Sequence, residues 1–337
     1  MKTFIYLVVT TSFFLGIPLT PGWGKTNSLK GESNLKADQK RNNLRSDGNN
    51  LANFRIKGKS FQFAMGKGLP FGQKEYDLYQ KIKKNSQLSQ NFPVQWALRN
   101  LSTSQNIAHS LQAEMNFYGA SVTKIFVAAA LLHQQEGRLT TQQMQETLDL
   151  IVASDNKAWR SLQKQVGHGN HYRGQQEIWN FTKKIGLQST IPFRGWHDSI
   201  HGNEVNALDL VYFLQATFDD TYPGADTMWT IMHGCRTGNS KANAYLPPDM
   251  MIGGKTGTYH GNTVHPVTKK PYRAKVHHHV ITFSYQGETF ALSVLSDRGS
   301  NQDVALMAGG LFREYIKEQI FLSDTRSNHR YDVSKNN

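Results

Sequence analysis

The sequence predicts an α+β domain: an antiparallel sheet contributed by both ends of the chain and flanked by helices, with an all-helical lobe inserted in the middle. Two observations carry this. Strand-like runs fall at 92–101 and 107–115 and again at 250–252, 276–285 and 289–296, while most of the chain between them follows helical periodicity. Within that helical stretch Ile125 to Leu132 is apolar on every side, which requires a helix buried at the centre of the fold.

Residues 1–24 read as a secretory signal peptide. Lys2 supplies the positive start, Phe4 to Leu19 the apolar stretch, and Gly22 and Gly24 the small residues a signal peptidase needs. An uncleaved anchor is the competing reading, disfavoured by the short stretch and by Pro18. The expected location is therefore periplasmic or secreted. Residues 25–72 hold ten Lys/Arg against Glu32, Asp38 and Asp47, a net +7 of the +13 carried by all 337 residues. Asn, Ser and Gly dominate the first half of this segment, so it is expected to be a basic, flexible linker. The alternative is an arm for an anionic envelope surface such as lipid head groups or cell wall.

The domain proper is expected over 73–320. A helix at 74–84 opens it, and Ser102-Thr103-Ser104-Gln105 joins the first two strands as a hairpin. The buried helix at 121–135 ends at Gly137. Thr140 then caps the next helix, with Gln143 as the reciprocal partner of a capping box. Helices at 156–165, 177–185, 207–218 and 303–318 follow, and residues 321–337 form a polar tail.

Composition excludes several classes. With 38% hydrophobic and 19% charged residues and one apolar run near spanning length, a polytopic membrane protein is ruled out. Cys235 has no cysteine to pair with in the chain, and no Cys-x-x-Cys zinc pattern exists. There is no Walker loop, dinucleotide fingerprint or Gly-x-Ser-x-Gly elbow, so no cofactor is expected and an α/β-hydrolase is disfavoured. His277-His278-His279 puts at most two rings on one strand face, so a surface strand is expected over a metal site. Trp159, Trp179 and Trp229 are expected in the core. Export argues against a nucleic-acid partner, and a monomer is expected.

Three motifs carry chemistry. In Ser121-Val122-Thr123-Lys124 the serine and lysine share a helical face, so the amine can reach the hydroxyl. A lysine beside a buried helix has a lowered pKa and can act as the base that makes the serine nucleophilic. The same spacing recurs at Ser154/Lys157 and Ser161/Lys164. Only Ser121 opens the buried helix, where free N–H groups favour a developing oxyanion. The second motif, Ser154-Asp155-Asn156, lies between two helices. It can present a hydroxyl and an amide to a cleft, or simply cap a helix. The third is Lys255-Thr256-Gly257-Thr258 after Gly253-Gly254. Glycines let a ligand approach the strand, and a cation beside two hydroxyls fits a substrate carboxylate.

Together and in this order these motifs resemble the class A serine β-lactamases and the related penicillin-binding proteins. Phe117-Tyr118-Gly119-Ala120 before Ser121, Leu246-Pro247 before the Lys-Thr-Gly strand and Asp297 after it extend the resemblance across 73–320. The resemblance implies Ser121 as the acylated nucleophile, Lys124 as its proton partner and Ser154 as relay to the leaving nitrogen. It implies Asn156 as the group binding the substrate's amide side chain, and Lys255 and Thr256 as holders of its carboxylate. The backbone N–H groups of Ser121 and Thr258 would form the oxyanion hole, with Gly257 between the substrate-binding residues. The substrate would be a β-lactam, or alternatively a D-alanyl peptide of the cell wall. A non-catalytic β-lactam or wall-binding module is the third reading.

Two departures from the family pattern stand out. Only 33 positions separate Ser121 from Ser154, which trims the helical lobe. The loop where the family carries a deacylating glutamate reads Arg194-Gly195-Trp196-His197-Asp198-Ser199, and no glutamate lies between Glu177 and Glu204. His197 and Asp198 are the expected replacements, since either can activate a water.

Overall fold

The computed structural model of the protein describes residues 29–192 and 203–317. The segment 1–24 expected to be a signal peptide, the tail at 321–337, and His197 and Asp198 lie outside the described residues.

The chain begins with helix α1 (Leu29–Leu51), the short strands β1 (Arg55–Ile56) and β2 (Lys59–Ser60), and helix α2 (Gln73–Leu88). Strands β3 (Val94–Asn100), β4 (Gln105–His109) and β5 (Phe117–Tyr118) follow. The helical lobe comprises a 3₁₀ turn (Ala120–Thr123), α3 (Lys124–Gln134), α4 (Thr141–Val152), α5 (Asn156–Val166) and α6 (His171–Lys184). Strand β6 (Glu204–Val205), α7 (Ala207–Phe218) and α8 (Ala225–Met232) lead back to the sheet. It is completed by β7 (Ile252–Val264), β8 (Pro271–Tyr285) and β9 (Glu288–Asp297), before α9 (Asn301–Phe312).

The central sheet is antiparallel with order β4-β3-β9-β8-β7, so strands from the two ends of the chain meet where Val94 faces Ser296. The alternation of its central strands explains why it sits between two layers. Trp96, Leu98, Phe290, Leu292 and Val294 pack with Tyr79 of α2 and Met307 and Leu311 of α9. Ala97, Ala291 and Leu295 point the other way, into the cluster built on α3 and α7. Ile125, Phe126, Val127, Leu131 and Leu132 of α3 have no exposed surface, as their all-round apolar pattern requires. The Thr140–Gln143 capping box is present, with Gln143 N donating to Thr140 Oγ1 at 3.2 Å and Thr140 N to Gln143 Oε1 at 3.0 Å.

Several expectations are corrected. Several described residues of segment 25–72 pack against the domain, where a flexible linker was expected. Leu44, Leu51, Ile56 and Phe61 belong to the main core. Lys40, only 7% exposed, donates to Asp220 Oδ1 at 2.6 Å and to the carbonyl of Thr217 at 3.2 Å, and Lys36 pairs with Asp219 at 3.1 Å. The partners lie some 180 positions away, so no local composition could reveal them. The triple histidine is not a surface strand, because β8 is an inner strand and covers His277, His278 and His279. Trp159 and Trp229 are buried, but Trp179 is half-buried with the Lys183 ammonium 4.0 Å from its ring centre. Strand β7 runs far beyond 250–252, since its glycines and hydroxyl residues are held by pairing with β8 from Ile252–Phe283 to Val264–Pro271.

Candidate active site

Ser121 sits in the 3₁₀ turn that leads into α3, between two anchored strands. Ala120 before it has φ of +47°, a left-handed backbone that costs a non-glycine residue about 1–3 kcal/mol. Neighbouring contacts hold that conformation. Gly119 N donates to Asn203 O at 2.6 Å, Asn203 Nδ2 donates to Ala120 O at 3.2 Å, and Thr123 Oγ1 donates to Asn203 Oδ1 at 2.8 Å. Asn203 lies next to β6, which pairs with β5, and Glu204 exchanges backbone hydrogen bonds with Ile191. The two ends of segment 192–203 are thereby joined beside the Ser121 turn. On the opposite flank β7 passes close to the same turn. A Cβ added at Gly257 would lie 3.0 Å from Gly119 O and 3.2 Å from Val122 N. A side chain there would force the turn or the strand to give by a few tenths of an ångström.

Lys124 opens α3 with no exposed surface. Its Nζ donates to Ser154 O and Asn156 Oδ1, each at 2.7 Å, is hydrogen-bonded to Ser154 Oγ at 3.2 Å, and lies 5.0 Å from the ring centre of Trp159. Ser154 Oγ also accepts from Lys255 Nζ at 2.9 Å, so one hydroxyl joins two buried lysines. Ser154 has φ of +59°, which turns its carbonyl and hydroxyl toward Lys124. Asp155 accepts from the N–H groups of Lys157 and Ala158 at the start of α5. Asp155 thus caps α5, while Ser154 and Asn156 engage Lys124.

Lys255 also donates to the carbonyl of Thr256 at 2.9 Å, while the hydroxyl of Thr256 is hydrogen-bonded to that of Thr237. Thr258 is exposed and its Oγ1 accepts from Lys241 Nζ at 2.8 Å. Lys241, 2% exposed, additionally donates to Gly257 O at 2.8 Å and His278 O at 3.1 Å, bracing β7 against β8. Sequence reasoning missed Lys241, Thr237, Asn203 and the contact of Trp159 with Lys124. Each stands in an undistinguished stretch, and only the tertiary packing brings it to the motifs.

The electrostatics follow from three buried lysines. Burial, and next the charge of Lys255, lower the Lys124 pKa to about 6. Burial lowers Lys255 to about 8, and burial with the charge of Lys255 lowers Lys241 to about 7. Lys124 is thus largely an uncharged amine near neutral pH, while Lys255 keeps a positive charge beside Ser154. An uncharged buried amine can accept a proton, and a retained positive charge favours an anionic ligand nearby. Glu204 and Glu177 are engaged elsewhere, Glu204 with Lys269 at 2.9 Å and Glu177 with Arg173 at 3.9 Å.

The sequence model of the Beta-lactamase enzyme family matches residues 141–309, just over half of the chain. No curated protein sequence matches significantly. Among solved structures, a β-lactamase from Streptosporangium roseum aligns with TM-score 0.55 at 16% identity, over 72% of this chain and 98% of its own. One from Chitinophaga pinensis gives 0.54 at 16% identity, over 70% and 96%. One from Xanthomonas campestris gives 0.55 at 15%, over 72% and 97%. At such identities the structures establish the fold, and the family match goes further: the chain belongs to the β-lactamase enzyme family.

Proposed function

We propose that the protein is an exported serine hydrolase that is acylated by β-lactams at Ser121 and then hydrolyses the ester. The observation that carries this reading is the lowered pKa of Lys124 beside a serine that joins it to Lys255. The uncharged Lys124 amine takes the proton from Ser121 as its Oγ attacks the lactam carbonyl. The backbone N–H groups of Ser121 and Thr258 stabilise the oxyanion, and Ser154 passes a proton to the leaving nitrogen. Lys255, Thr256 and Thr258 hold the substrate carboxylate beside Gly257, and Asn156 binds its amide side chain. His197 or Asp198 activates the water that releases the product.

The absence of a glutamate from the loop 194–199 leaves one alternative, a D-alanyl-peptide peptidase for which β-lactams are slow acylating inhibitors. A chromogenic cephalosporin separates the two. Product that keeps accumulating over many turnovers supports the hydrolase, and a stoichiometric burst that stops supports the peptidase. Absence of both acylation and turnover leaves a non-catalytic binding module.

A further inference from the structure

We infer that His260 and His277 form a two-imidazole site for a divalent transition-metal ion on the β7–β8 ladder. His260 and His277 face each other across the strands, with Nε2 atoms 3.2 Å apart and ring centres 5.0 Å apart. The register pairs Thr258 with His277 and His260 with Lys275, so the two histidines are diagonal neighbours on one face of the ladder. Two nitrogens each bound at ~2.0–2.1 Å to one ion are separated by roughly 2.9 Å in a square-planar site and 3.4 Å in a tetrahedral one. The observed separation lies between these values, so the backbone spacing suits a shared ion and only the ring angles of the hydrogen-bonded pair have to change.

Asn301 Oδ1 lies 2.8 Å from His277 Nδ1, and Asn301 Nδ2 lies 3.3 Å from Ser240 Oγ. With its proton on Nδ1, His277 donates to Asn301 and leaves the Nε2 lone pair on the side of His260. A ligating imidazole that donates its other N–H to a fixed acceptor is the usual arrangement around bound metals. His277 is 8% exposed and His260 is open to solvent, so one ligand is seated in the fold and the other leaves a path for entry. Among the described residues no set of three His, Cys, Asp or Glu converges here, so water completes the coordination. Imidazole donors select copper, nickel or zinc over magnesium or calcium, with copper bound most tightly. This site does not depend on the proposed hydrolase reaction.

The test is copper(II) titration of the chelator-stripped full chain near pH 7.5, followed by calorimetry and electron paramagnetic resonance. His260→Ala, His277→Ala and Asn301→Ala are measured beside it, and circular dichroism checks that each is folded. The wild type should take up one equivalent more than His260→Ala, with the hyperfine pattern of nitrogen ligation. Asn301→Ala should weaken that equivalent by roughly ten- to a hundredfold through loss of the outer partner. Equal uptake and affinity in wild type and His260→Ala would overturn the inference, as would uptake that does not saturate. The pair would then be a plain histidine–histidine hydrogen bond.

Discussion

Replacing Lys255 by Met should raise the pKa of Lys124, and the size of the rise can be worked from the geometry. The two ammonium nitrogens stand 2.9 and 3.2 Å from the same Ser154 hydroxyl. They are therefore within about 6 Å of each other, where two unit charges at an effective dielectric of about 20 repel by roughly 3 kcal/mol, or about two pKa units. Lys255 titrates near 8 and is mostly charged where Lys124 titrates near 6, so its removal relieves this repulsion. Burial, the larger cause, remains, so Lys124 should settle at roughly 7.5–8 and stay below an exposed lysine. The base is the uncharged amine, so acylation falls on the acid side of this pKa. At pH 6.5 the uncharged fraction should drop roughly ten- to twentyfold in the variant and recover by pH 9. Titration of the ¹³Cε resonance of Lys124 without substrate gives the midpoint directly. Stopped-flow acylation at saturating penicillin gives the kinetic counterpart, independent of weaker carboxylate binding. A midpoint that stays near 6, or moves down, would refute the coupling of the two lysines.

Four further outcomes are expected. Ser121→Ala should abolish the covalent penicillin adduct in mass spectrometry while Ser154→Ala only slows its formation; an adduct persisting in Ser121→Ala refutes the nucleophile. Gly257→Ala should crowd the Ser121 turn, because the new methyl would sit 3.0 Å from Gly119 O, and lower the acylation rate severalfold; an unchanged rate shows that the spacing is not critical. Ile56→Ala should cost about 2–5 kcal/mol in urea unfolding, since Ile56 has no exposed surface in the main core, and a loss below 1 kcal/mol would contradict the packing of residues 29–72. Replacing Asp198 by Asn or His197 by Ala should accumulate acyl-enzyme, with turnover down by ~10²–10⁴-fold for the residue that supplies the base; if the double variant deacylates normally, the loop holds no base.

The sequence by itself determined the elements whose evidence is local. The all-round apolar run of α3, the Thr140–Gln143 cap, the extent of α7 and the strand-like runs of β3 and β9 depend on neighbours within a few positions, and each is legible in the order of residues. The motifs at Ser121, Ser154 and Lys255 were legible for the same reason, as short sets of residue types at fixed spacing. Tertiary structure alone decided what depends on distant partners. α1 has little apolar asymmetry of its own and is held through Lys40 and Asp220, which no local window contains. β7 is polar and glycine-rich, and becomes a long strand because β8 supplies its hydrogen bonds along thirteen paired positions. The burial of His278 and His279 follows from the inner position of β8, which the residues of β8 cannot report. The lowered pKa of Lys124 has the same origin. A lysine in a helix sequence is ordinarily a surface charge, and only the closing of α3, α5 and β7 around it removes its water and brings a second lysine to the same hydroxyl.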